Sequence, residues 1–384
     1  MRNVCNKDQC TGCMACVDIC AKNAIHIIDA IDAFNAVIDE GKCINCGMCE
    51  KVCQQKNVPQ LRSPIIWKQG WTYDDITRIR SASGGIATEL ARTFIEKGGK
   101  VCSCLFRGGD FVFDIVEDVN RLDCFAGSKY IKSNPTGIYK TIKRELARKT
   151  EILFIGLPCQ VAALRNYVGD SLGEKLTTVD LICHGTPSPK ILDMFLKQYG
   201  EDIRTAESID FRVKGNFQVS ERSHTIAIRG VCDRYMISFL SALSYTENCY
   251  SCKYAQENRP GDITLGDSWG TELPENEWHK GVSLVLCQTE KGKSLLKLAK
   301  IKLVDVNIEK AKSHNHQLEH PSKAPKSRDK FVKHIKQGMK FNRAVLYALP
   351  KDSGKQLLKE ILIKCKLLTP GGGGVMYQIE IKDV

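Results

Sequence analysis

CTGCMACVDIC at residues 10–20 and CINCGMCEKVC at residues 43–53 share one cysteine spacing, C-x2-C-x2-C-x3-C, and this spacing decides the fold of the N-terminal region. Eight cysteines in that rhythm are the ligands of two 4Fe–4S clusters. The two-residue gaps let one loop wrap three corners of a cubane, and the three-residue gap carries the fourth thiolate to the neighbouring cluster. The predicted ligand sets are Cys10, Cys13, Cys16 and Cys53 for the first cluster, and Cys43, Cys46, Cys49 and Cys20 for the second.

Structural zinc is the alternative interpretation of paired cysteines. Zinc needs four ligands per ion and commonly shows one two-residue gap per pair, so the double x2-x2-x3 pattern favours iron–sulfur clusters. Proline usually follows the last cysteine of such a run, and here Ala21 and Gln54 occupy those positions. That departure weakens the local turn and leaves the number of ligands unchanged.

Residues 1–58 are accordingly predicted to form a two-cluster 4Fe–4S ferredoxin domain. Its two halves are offset by 33 residues, which indicates an internal duplication. Between the cysteine runs, segments 24–29 and 35–39 are predicted to be the two strands of a hairpin. Pro59 and Pro64 then bracket a linker to the next region.

The composition is that of a globular protein in a reducing compartment. The 384 residues are 43% hydrophobic and 26% charged, which suits two or three domains. Nine of the 19 cysteines fall in the first 53 residues, and no apolar signal-peptide segment precedes them. Because disulfides are rare in the cytoplasm, a cytoplasmic location is expected. No apolar run is long enough to predict a membrane span.

Positive charge is concentrated in the C-terminal part of the chain. Residues 291–384 hold 21 Lys and Arg against 8 Asp and Glu, whereas residues 1–290 hold 35 against 36. A basic region can bind nucleic acid, an anionic membrane surface or an acidic protein such as a ferredoxin, or it can simply be a solvated face. The lysines are spread out with no aromatic platform among them, so nucleic acid is not expected as a partner.

From Trp67 onward, apolar strands alternate with helices, which is typical of an α/β layer. The predicted elements are a helix over 86–95, strands over 100–106 and 111–116, a helix over 139–148, a strand over 152–157, a helix over 159–167, a strand over 178–183 and a helix over 189–199. Residues 208–240 are predicted to be alternating strands, and the lysine-rich end is predicted to be helical. The glycine run at 371–374 is predicted to be flexible. The predicted fold class is therefore mixed, α+β or α/β, with a ferredoxin-like domain in front of an α/β domain.

Four cysteines outside the ferredoxin domain occupy similar places in this pattern: Cys159, Cys183, Cys249 and Cys252. Two of them follow predicted strands, and the others form one x2 pair. Carboxyl ends of parallel strands and helix N-termini meet at one sheet edge, and a helix N-terminus favours the thiolate that binds iron. These four residues are a hypothetical third 4Fe–4S site, and the alternative is that they are ordinary buried cysteines. The remaining cysteines, including Cys5, have no matching partners.

Glycine-rich segments provide weaker signals for an anionic ligand. Residues 81–85, which precede a predicted helix, could bind phosphate or serve as an ordinary N-cap. Residues 127–130 offer a cation, a hydroxyl and a ring, and residues 261–270 offer two carboxylates and a tryptophan or form a packing turn. His184 is expected to be a hydrogen-bonding core histidine rather than a base.

In this order, the motifs resemble those of the coenzyme F420 hydrogenase/dehydrogenase beta-subunit family over about residues 65–300. The resemblance rests on Ser83-Gly84-Gly85, Ser128-Lys129-Tyr130 with Ser133, Gly156-Leu157-Pro158-Cys159-Gln160, Asp180-Leu181-Ile182-Cys183-His184-Gly185, Phe211-Arg212-Val213-Lys214, Cys249-x2-Cys252 and the segment from Asp262 to Gly270. It implies an α/β flavin-binding domain made of an N-terminal-type region at 65–145 and a C-terminal-type region at 146–305, followed by a basic, mostly helical extension at 306–384.

The resemblance also implies FAD and, near it, a 4Fe–4S cluster, which strengthens the hypothesis for the third cysteine set. The residues implied near FAD are Ser83, Gly84, Gly85, Ser128, Lys129 and Tyr130, and those implied near an anionic substrate are Arg212 and Lys214. No catalytic side chain is assigned, because the reactive group would be the flavin.

Flavin converts between hydride and single-electron chemistry, and clusters carry one electron each. The expected function is therefore an oxidoreductase whose FAD exchanges a hydride with a reduced deazaflavin or another organic substrate, with a ferredoxin-like redox partner. The alternative is a non-catalytic electron-transfer subunit of a larger complex. A structural metal or nucleic-acid-binding protein is the least favoured interpretation. The sequence leaves the substrate, the direction of electron flow and the oligomeric state open.

Overall fold

The computed structural model describes residues 2–214, 216–222 and 224–369, so the glycine run and the residues after it lie outside the described part. Strands and helices alternate through most of the chain. The strands are β1 (Arg2–Asn3), β2 (Ile25–Asp29), β3 (Phe34–Ile38), β4 (Ile66–Thr72), β5 (Lys100–Arg107), β6 (Asp110–Val116), β7 (Ile152–Gly156), β8 (Leu176–Leu181), β9 (Asp210–Val213), β10 (Asn216–Glu221), β11 (His224–Thr225), β12 (Ile263–Asp267), β13 (Ser283–Cys287) and β14 (Ile301–Val304).

The helices vary in length from single turns to 15 residues. They are α1 (Ala15–Ile19), α2 (Met48–Val52), α3 (Asp75–Arg80), α4 (Ile86–Glu96), α5 (Ile138–Ala147), α6 (Pro158–Val168), α7 (Asp170–Gly173), α8 (Pro189–Lys197), α9 (Arg234–Leu240), α10 (Glu275–Trp278), α11 (Glu290–Leu298), α12 (Ile308–Ser313), α13 (Arg328–Lys336), α14 (Phe341–Ala348) and α15 (Pro350–Lys364), with 3-10 turns at Val119–Phe125, Glu247–Cys249 and His316–Leu318. No helix in the described ranges is long and apolar enough to cross a bilayer.

The N-terminal module is a ferredoxin-like hairpin with two short helices. β2 and β3 pair in antiparallel fashion, which confirms the predicted hairpin, and β1 adds a third strand. Met14 and Gly47 precede α1 and α2 in the same left-handed conformation, with φ of 61° and 73°. The duplicated sequence therefore folds twice into the same loop and helix.

An eight-stranded mixed sheet forms the centre of the molecule, in the order β14-β4-β13-β12-β8-β7-β5-β6. β5, β7, β8 and β12 are parallel, and antiparallel strands complete both edges. Helices α4 and α11 cover one face of the sheet, and α5 and α6 cover the other. These layers confirm the predicted strand–helix alternation between residues 86 and 199. Because β4 lies between β13 and β14, regions 65–145 and 146–305 contribute strands to one sheet.

The segment 208–240 was predicted to be alternating strands, and this is wrong after Thr225, since residues 226–233 form bends and turns and the last seven residues are helical. They form α9, because the Asp233 side chain accepts a hydrogen bond from the Met236 amide and caps the helix. The small antiparallel sheet β11-β10-β9 packs with α8, α9, α13 and α14 around one aromatic core. The prediction of a helical C-terminal region is confirmed by α12 to α15.

Polar contacts attach the ferredoxin module to the central sheet region. The Asp18 carboxylate accepts hydrogen bonds from the amides of Gly137 (2.6 Å) and Tyr139 (3.2 Å) at the start of α5. On another side, Ser188 donates to Asp29 at 2.6 Å. The module is thus held from several directions at once, which fixes its cysteines relative to those of the central region.

Candidate redox site

The four cysteines predicted as the first ligand set lie together in the buried side of the ferredoxin module. Cys10, Cys13, Cys16 and Cys53 are all buried, and with Cys5 they line one cavity. Burial, together with the nearby Cys10 and Cys53 thiols, raises the pKa of Cys13 to about 12. The amide of Gly12 donates to the sulfur of Cys10 at 3.5 Å, which is the kind of contact that supports a thiolate.

The predicted second set lies at the surface of the same module. Cys46 is exposed, and Cys20, Cys43 and Cys49 are half-buried. Backbone amides again donate to sulfur, Ala24 to Cys20 at 3.3 Å and Asn45 to Cys43 at 3.4 Å. Burial raises the pKa of Cys49, and the neighbouring Cys20 thiol contributes to this shift. Cys20 of the first loop is thus a neighbour of Cys49 in the second loop, which is the arrangement that the predicted exchange of the fourth ligand requires.

The spacing of these thiols bears on the zinc alternative. In the described part of the chain, no three His, Cys, Asp or Glu side chains converge closely enough to hold a single metal ion. Thiolates around a cubane stand further apart than ligands of one ion, because four irons and four sulfides lie between them.

The third group of cysteines converges at the carboxyl edge of the central sheet. Cys159 lies in the first turn of α6 directly after β7, and Cys183 follows β8, while Cys249 and Cys252 lie at a 3-10 turn. Burial and the Cys252 and Cys183 thiols raise the pKa of Cys159 well above its usual value. Burial and the Cys249 and Cys252 thiols raise the pKa of Cys183 to about 12. Cys159 and Cys183 are therefore electrostatic neighbours of each other and of Cys252, and Cys249 is a neighbour of Cys183 and Cys252.

A buried ion pair supports this third group, and sequence reasoning missed it. Arg259 and Asp180 are both buried, and a guanidinium nitrogen lies 2.9 Å from a carboxylate oxygen. Arg259 also donates to the carbonyls of Tyr254 and Leu181, each at 2.6 Å. Since a positive charge favours thiolate, Arg259 acts against the burial that raises the pKa of Cys183. A lone arginine in a loop gives no sequence signal for this role.

The third group lies next to the first ligand set. The thiol of Cys13 contributes to the raised pKa of Cys159, so the two sets interact across the boundary between module and sheet. Tyr254 lies at that boundary, and its hydroxyl donates to the Gln54 carbonyl at 3.2 Å. At the other end, Cys49 of the second set contributes to the raised pKa of Cys16, which is due mainly to burial. The three sets thus follow one another in series.

Beside the third group, Arg212 joins several of the segments implied near flavin and substrate. Its guanidinium pairs with both carboxylate oxygens of Asp267, at 2.6 and 3.1 Å. It also donates to the Tyr130 hydroxyl and the Ala82 carbonyl, each at 3.1 Å, and to the Lys214 carbonyl. The structure therefore brings the 81–85, 127–130, 211–214 and 261–270 segments to one place.

The two lysines implied near FAD and substrate are bonded to the protein itself. Lys129 donates to the carbonyls of residues 125–127 at 2.6–2.9 Å, and burial lowers its pKa. Lys214 donates to three carbonyls, among them that of Ser83 at 2.9 Å, and burial lowers its pKa to about 8. Both ammonium groups order loops, and neither points to an anion in this arrangement.

The Ser83-Gly84-Gly85 turn packs tightly against the sheet. Ser83 donates to the Val282 carbonyl at 2.8 Å, and a side chain at Gly84 would collide with the Gly70 carbonyl. Gly85 has φ of 79° and precedes α4, so the turn delivers the amides of an 11-residue helix to this place. Ser128 is half-buried in the neighbouring loop.

His184 follows Cys183 and is hydrogen-bonded, as its expected structural role requires. Its Nδ1 lies 2.7 Å from the Gln317 side-chain nitrogen, and its carbonyl accepts from Ser322 at 2.8 Å. Burial lowers the pKa of His184 to about 4. The C-terminal extension therefore contacts the site through Gln317 and Ser322, which the sequence did not indicate.

The cysteine loops and the mixed sheet together define an iron–sulfur protein of mixed α/β architecture. Residues 9–57 match the sequence model of a family described as 4Fe-4S dicluster domain. Residues 149–311 match the model for the C terminus of the coenzyme F420 hydrogenase/dehydrogenase beta subunit. The resemblance derived from the motifs is confirmed over these two ranges.

The chain is also similar to a solved structure, a chain of the F420-reducing [NiFe] hydrogenase complex from Methanosarcina barkeri. The two are 18% identical, with a TM-score of 0.48, and the match covers 74% of this chain and 91% of that one. No curated protein matches the chain.

Proposed function

We propose that this protein is an iron–sulfur flavoprotein oxidoreductase. Its FAD would exchange a hydride with a reduced deazaflavin of the F420 type or with another organic substrate. Its redox partner would be a ferredoxin-like protein that gives or takes single electrons. The observation that carries this proposal is the position of Cys159, Cys183, Cys249 and Cys252, between the Arg212 site and the first ferredoxin ligand set.

The arrangement of thiols supports three 4Fe–4S clusters in series. Cys13 and Cys159 interact across the module boundary, and Cys16 and Cys49 interact within the module. Clusters bound there would connect the buried edge of the sheet with the exposed loop around Cys46. That order is what a chain needs to carry single electrons between an internal site and a partner at its surface.

The flavin proposal rests on the segments that Arg212 gathers. FAD would be held by the turn at Ser83, Gly84 and Gly85 and by the loop at Ser128, Lys129 and Tyr130. When bound, a flavin takes up two electrons with a hydride and releases them singly. The protein contributes the amides at the start of α4, the aromatic wall around Tyr130, whose ring lies 4.4 Å from that of Phe239, and fixed loops.

Arg212 and Lys214 were expected near an anionic substrate, and their contacts assign them a more specific role in this proposal. Arg212 is neutralised by Asp267, so it would orient the walls of the site and leave little net charge for a substrate anion. The Lys214 ammonium keeps the Ser83 turn in place by donating to the Ser83 carbonyl. An anionic substrate would therefore need to displace one of these existing bonds.

The same contacts favour one alternative, a non-catalytic electron-transfer subunit. Lys129, Arg212 and Lys214 are each satisfied by acceptors of the protein itself. A site whose cations are already bonded can be a closed structural core with no flavin. In that case the chain would carry iron and transfer electrons between partners without hydride chemistry.

Anaerobic purification with cofactor analysis separates these functions. The proposed oxidoreductase should contain about 12 iron and about 12 labile sulfide per chain, three clusters of four, together with about one flavin. Iron without flavin, and no flavin uptake on reconstitution, would select the electron-transfer subunit. A colourless protein that contains zinc would exclude both.

Cys159→Ser tests the third cluster within the same preparation. It should remove about a third of the iron and leave the ferredoxin clusters in place. Cys287→Ser is the control, because Cys287 is a buried cysteine of β13 outside the proposed ligand sets, and its thiol donates to the Thr289 carbonyl. Unchanged iron in Cys159→Ser would contradict the four-ligand proposal.

The substrate is then identified by reaction. The anaerobic protein is mixed separately with F420H2, NAD(P)H and reduced ferredoxin, and flavin and cluster absorbance are followed. Rapid bleaching by F420H2 alone would support the deazaflavin substrate. Bleaching by NAD(P)H and not by F420H2 would support an oxidoreductase whose substrate is a nicotinamide cofactor and not a deazaflavin.

A further inference from the structure

A single lysine lies between the first and third cysteine sets. Lys132 is 4% exposed, and its ammonium donates to the Thr11 carbonyl at 2.9 Å, inside the first cysteine loop. Its amide donates to the Pro187 carbonyl, also at 2.9 Å, in the loop that follows Cys183. The side chain of Lys132 therefore binds the loop of the first predicted cluster site, and its main chain binds the loop of the third.

The first loop leaves room for this lysine at one glycine. Gly12 has φ of 69°, and a side chain there would come within 2.9 Å of the Lys132 Cδ. The equivalent position in the second loop is Asn45, which also has a positive φ of 52° but carries a side chain. The first loop therefore accommodates Lys132 at a position that has no side chain of its own.

The Lys132 ammonium has few partners in the described part of the chain. Within the described ranges, the Thr11 carbonyl is its only hydrogen-bond acceptor and no carboxylate forms an ion pair with it. The Phe34 ring lies 5.1 Å from the nitrogen and offers a weak cation–π contact. A buried ammonium without a counter-charge is unfavourable, so a protein retains one where it has an anion to neutralise.

The anions within its reach are cysteine thiolates of two different sets. Thr11, whose carbonyl accepts from the Lys132 ammonium, directly follows Cys10 of the first set. Ser133, the residue after Lys132, accepts a hydrogen bond at 2.9 Å from the side chain of Gln160, which directly follows Cys159 of the third set. Four thiolates outweigh the positive charge of a 4Fe–4S core, so each bound cluster is an anion, and reduction adds one electron to it.

We propose that Lys132 is a positioning residue for electron transfer, whose fixed charge stabilises the reduced form of the first and third clusters and so raises both reduction potentials. This inference rests on the proposed function, because it requires clusters at both sites. The second cluster lies beyond the first one and next to solvent, so Lys132 should leave its potential unchanged. The lysine would thereby hold the two inner clusters at similar potentials.

The test is an anaerobic redox titration of the full chain, followed by EPR, with Lys132→Met, Lys132→Gln and Lys132→Arg. Lys132→Met should lower the reduced-to-oxidised ratio of the first and third clusters about tenfold at a fixed potential, which is a shift of about 59 mV for one electron. Lys132→Gln removes the charge but keeps a hydrogen-bond donor for the Thr11 carbonyl, so it should lower the two potentials by the same amount as Lys132→Met. Lys132→Arg keeps the charge and should restore them.

The matched control is Lys190→Met. Lys190 also donates from the central region to a carbonyl of the ferredoxin module, that of Asp29 at 2.7 Å, but it is exposed. Its loss should shift no cluster potential. Equal potentials in Lys132→Gln and the wild type, with all clusters present, would overturn the inference, as would an equal shift of all three clusters.

Iron analysis distinguishes this failure from failure of the proposed function. If the wild type lacks one of the two inner clusters, the proposed function fails. If both are present and do not respond to Lys132, only the inference fails. Should Lys132→Met assemble poorly, Lys132→Gln and Lys132→Arg decide the outcome between them.

Discussion

The two cysteine loops have the same spacing and the same left-handed residue before their helices, yet the protein surrounds them differently. The first loop is buried against the central sheet, whereas the second faces solvent. Thr11 is 7% exposed and its equivalent Ile44 is 62% exposed; Ala15 is fully buried and its equivalent Met48 is 40% exposed. The duplication gives two loops with the same arrangement of cysteines. The residues between the cysteines decide which loop is buried against the central sheet.

A third pair of equivalent positions shows how the inward loop is attached. Asp18 in the first half accepts two amides at the start of α5, and Lys51 takes its place in the second half, where it is exposed. This attachment to α5 therefore belongs to the first half. In the other half, the loop around Cys46 is exposed.

Substitution of equivalent cysteine ligands in the two loops should have the largest effect on iron content, and the two variants should differ in unfolding free energy. Cys13→Ser and Cys46→Ser should each cost one cluster, about four of the iron atoms. Cys13→Ser should also lower the free energy of unfolding by about 1–3 kcal/mol more than Cys46→Ser, because it buries a hydroxyl among apolar side chains. Iron analysis and anaerobic chemical unfolding measure both effects. Equal destabilisation by the two variants would contradict the inward and outward assignment.

The attachment through Asp18 should give the next largest effect. Asp18→Ala removes an acceptor for two amides at a helix start and should cost about 1–2 kcal/mol of unfolding free energy. Lys51→Ala, its equivalent in the other half, should stay within about 0.5 kcal/mol of the wild type. Denaturant unfolding of both variants under anaerobic conditions makes the comparison. A neutral Asp18→Ala would show that this contact does not hold the module.

The loop backbone can be tested at Gly47, where both halves adopt a left-handed conformation. Gly47→Ala should cost about 1 kcal/mol, because the space around Gly47 is open and the penalty comes from φ alone. Thermal unfolding with intact clusters measures it. No change in stability would mean that the loop relaxes to another conformation.

The outward loop should show the smallest effect on stability and a selective effect on function. Ile44→Asp should change the unfolding free energy by less than about 0.5 kcal/mol, because Ile44 is mostly exposed. It should slow electron exchange with a ferredoxin-like partner several-fold while cluster potentials stay constant. Stopped-flow mixing with reduced ferredoxin checks this. An unchanged rate would place the partner on another surface.

Much of the fold could be predicted because local pattern and tertiary structure agree. The hairpin, the helices on both sheet faces and the cysteine loops all follow from spacing and periodicity over fewer than about 20 residues. The segment 234–240 was predicted wrongly, since Asp233 starts a helix within an apparently alternating run. The order of the sheet, with β4 between late strands, has no local signal.

Part of the candidate site could likewise be predicted from the sequence, and part of it could not. The twelve cysteines could be proposed from their sequence neighbours, since each follows a strand or belongs to a short repeat. The contacts of Arg212 with Asp267 and of Lys132 with Thr11 join residues far apart in the chain. Isolated charged residues look alike in a sequence, so their burial and partners became apparent only in the folded structure.

The position of β4 has a consequence for biosynthesis. Gly70 pairs with Ser283 and Leu303, both more than 200 residues later in the chain. At roughly 5–20 residues per second, a ribosome needs about 10–40 s to make the intervening segment. During that interval the cysteines of the ferredoxin module have left the ribosome while the sheet beside them cannot close, so iron delivery can precede completion of the sheet.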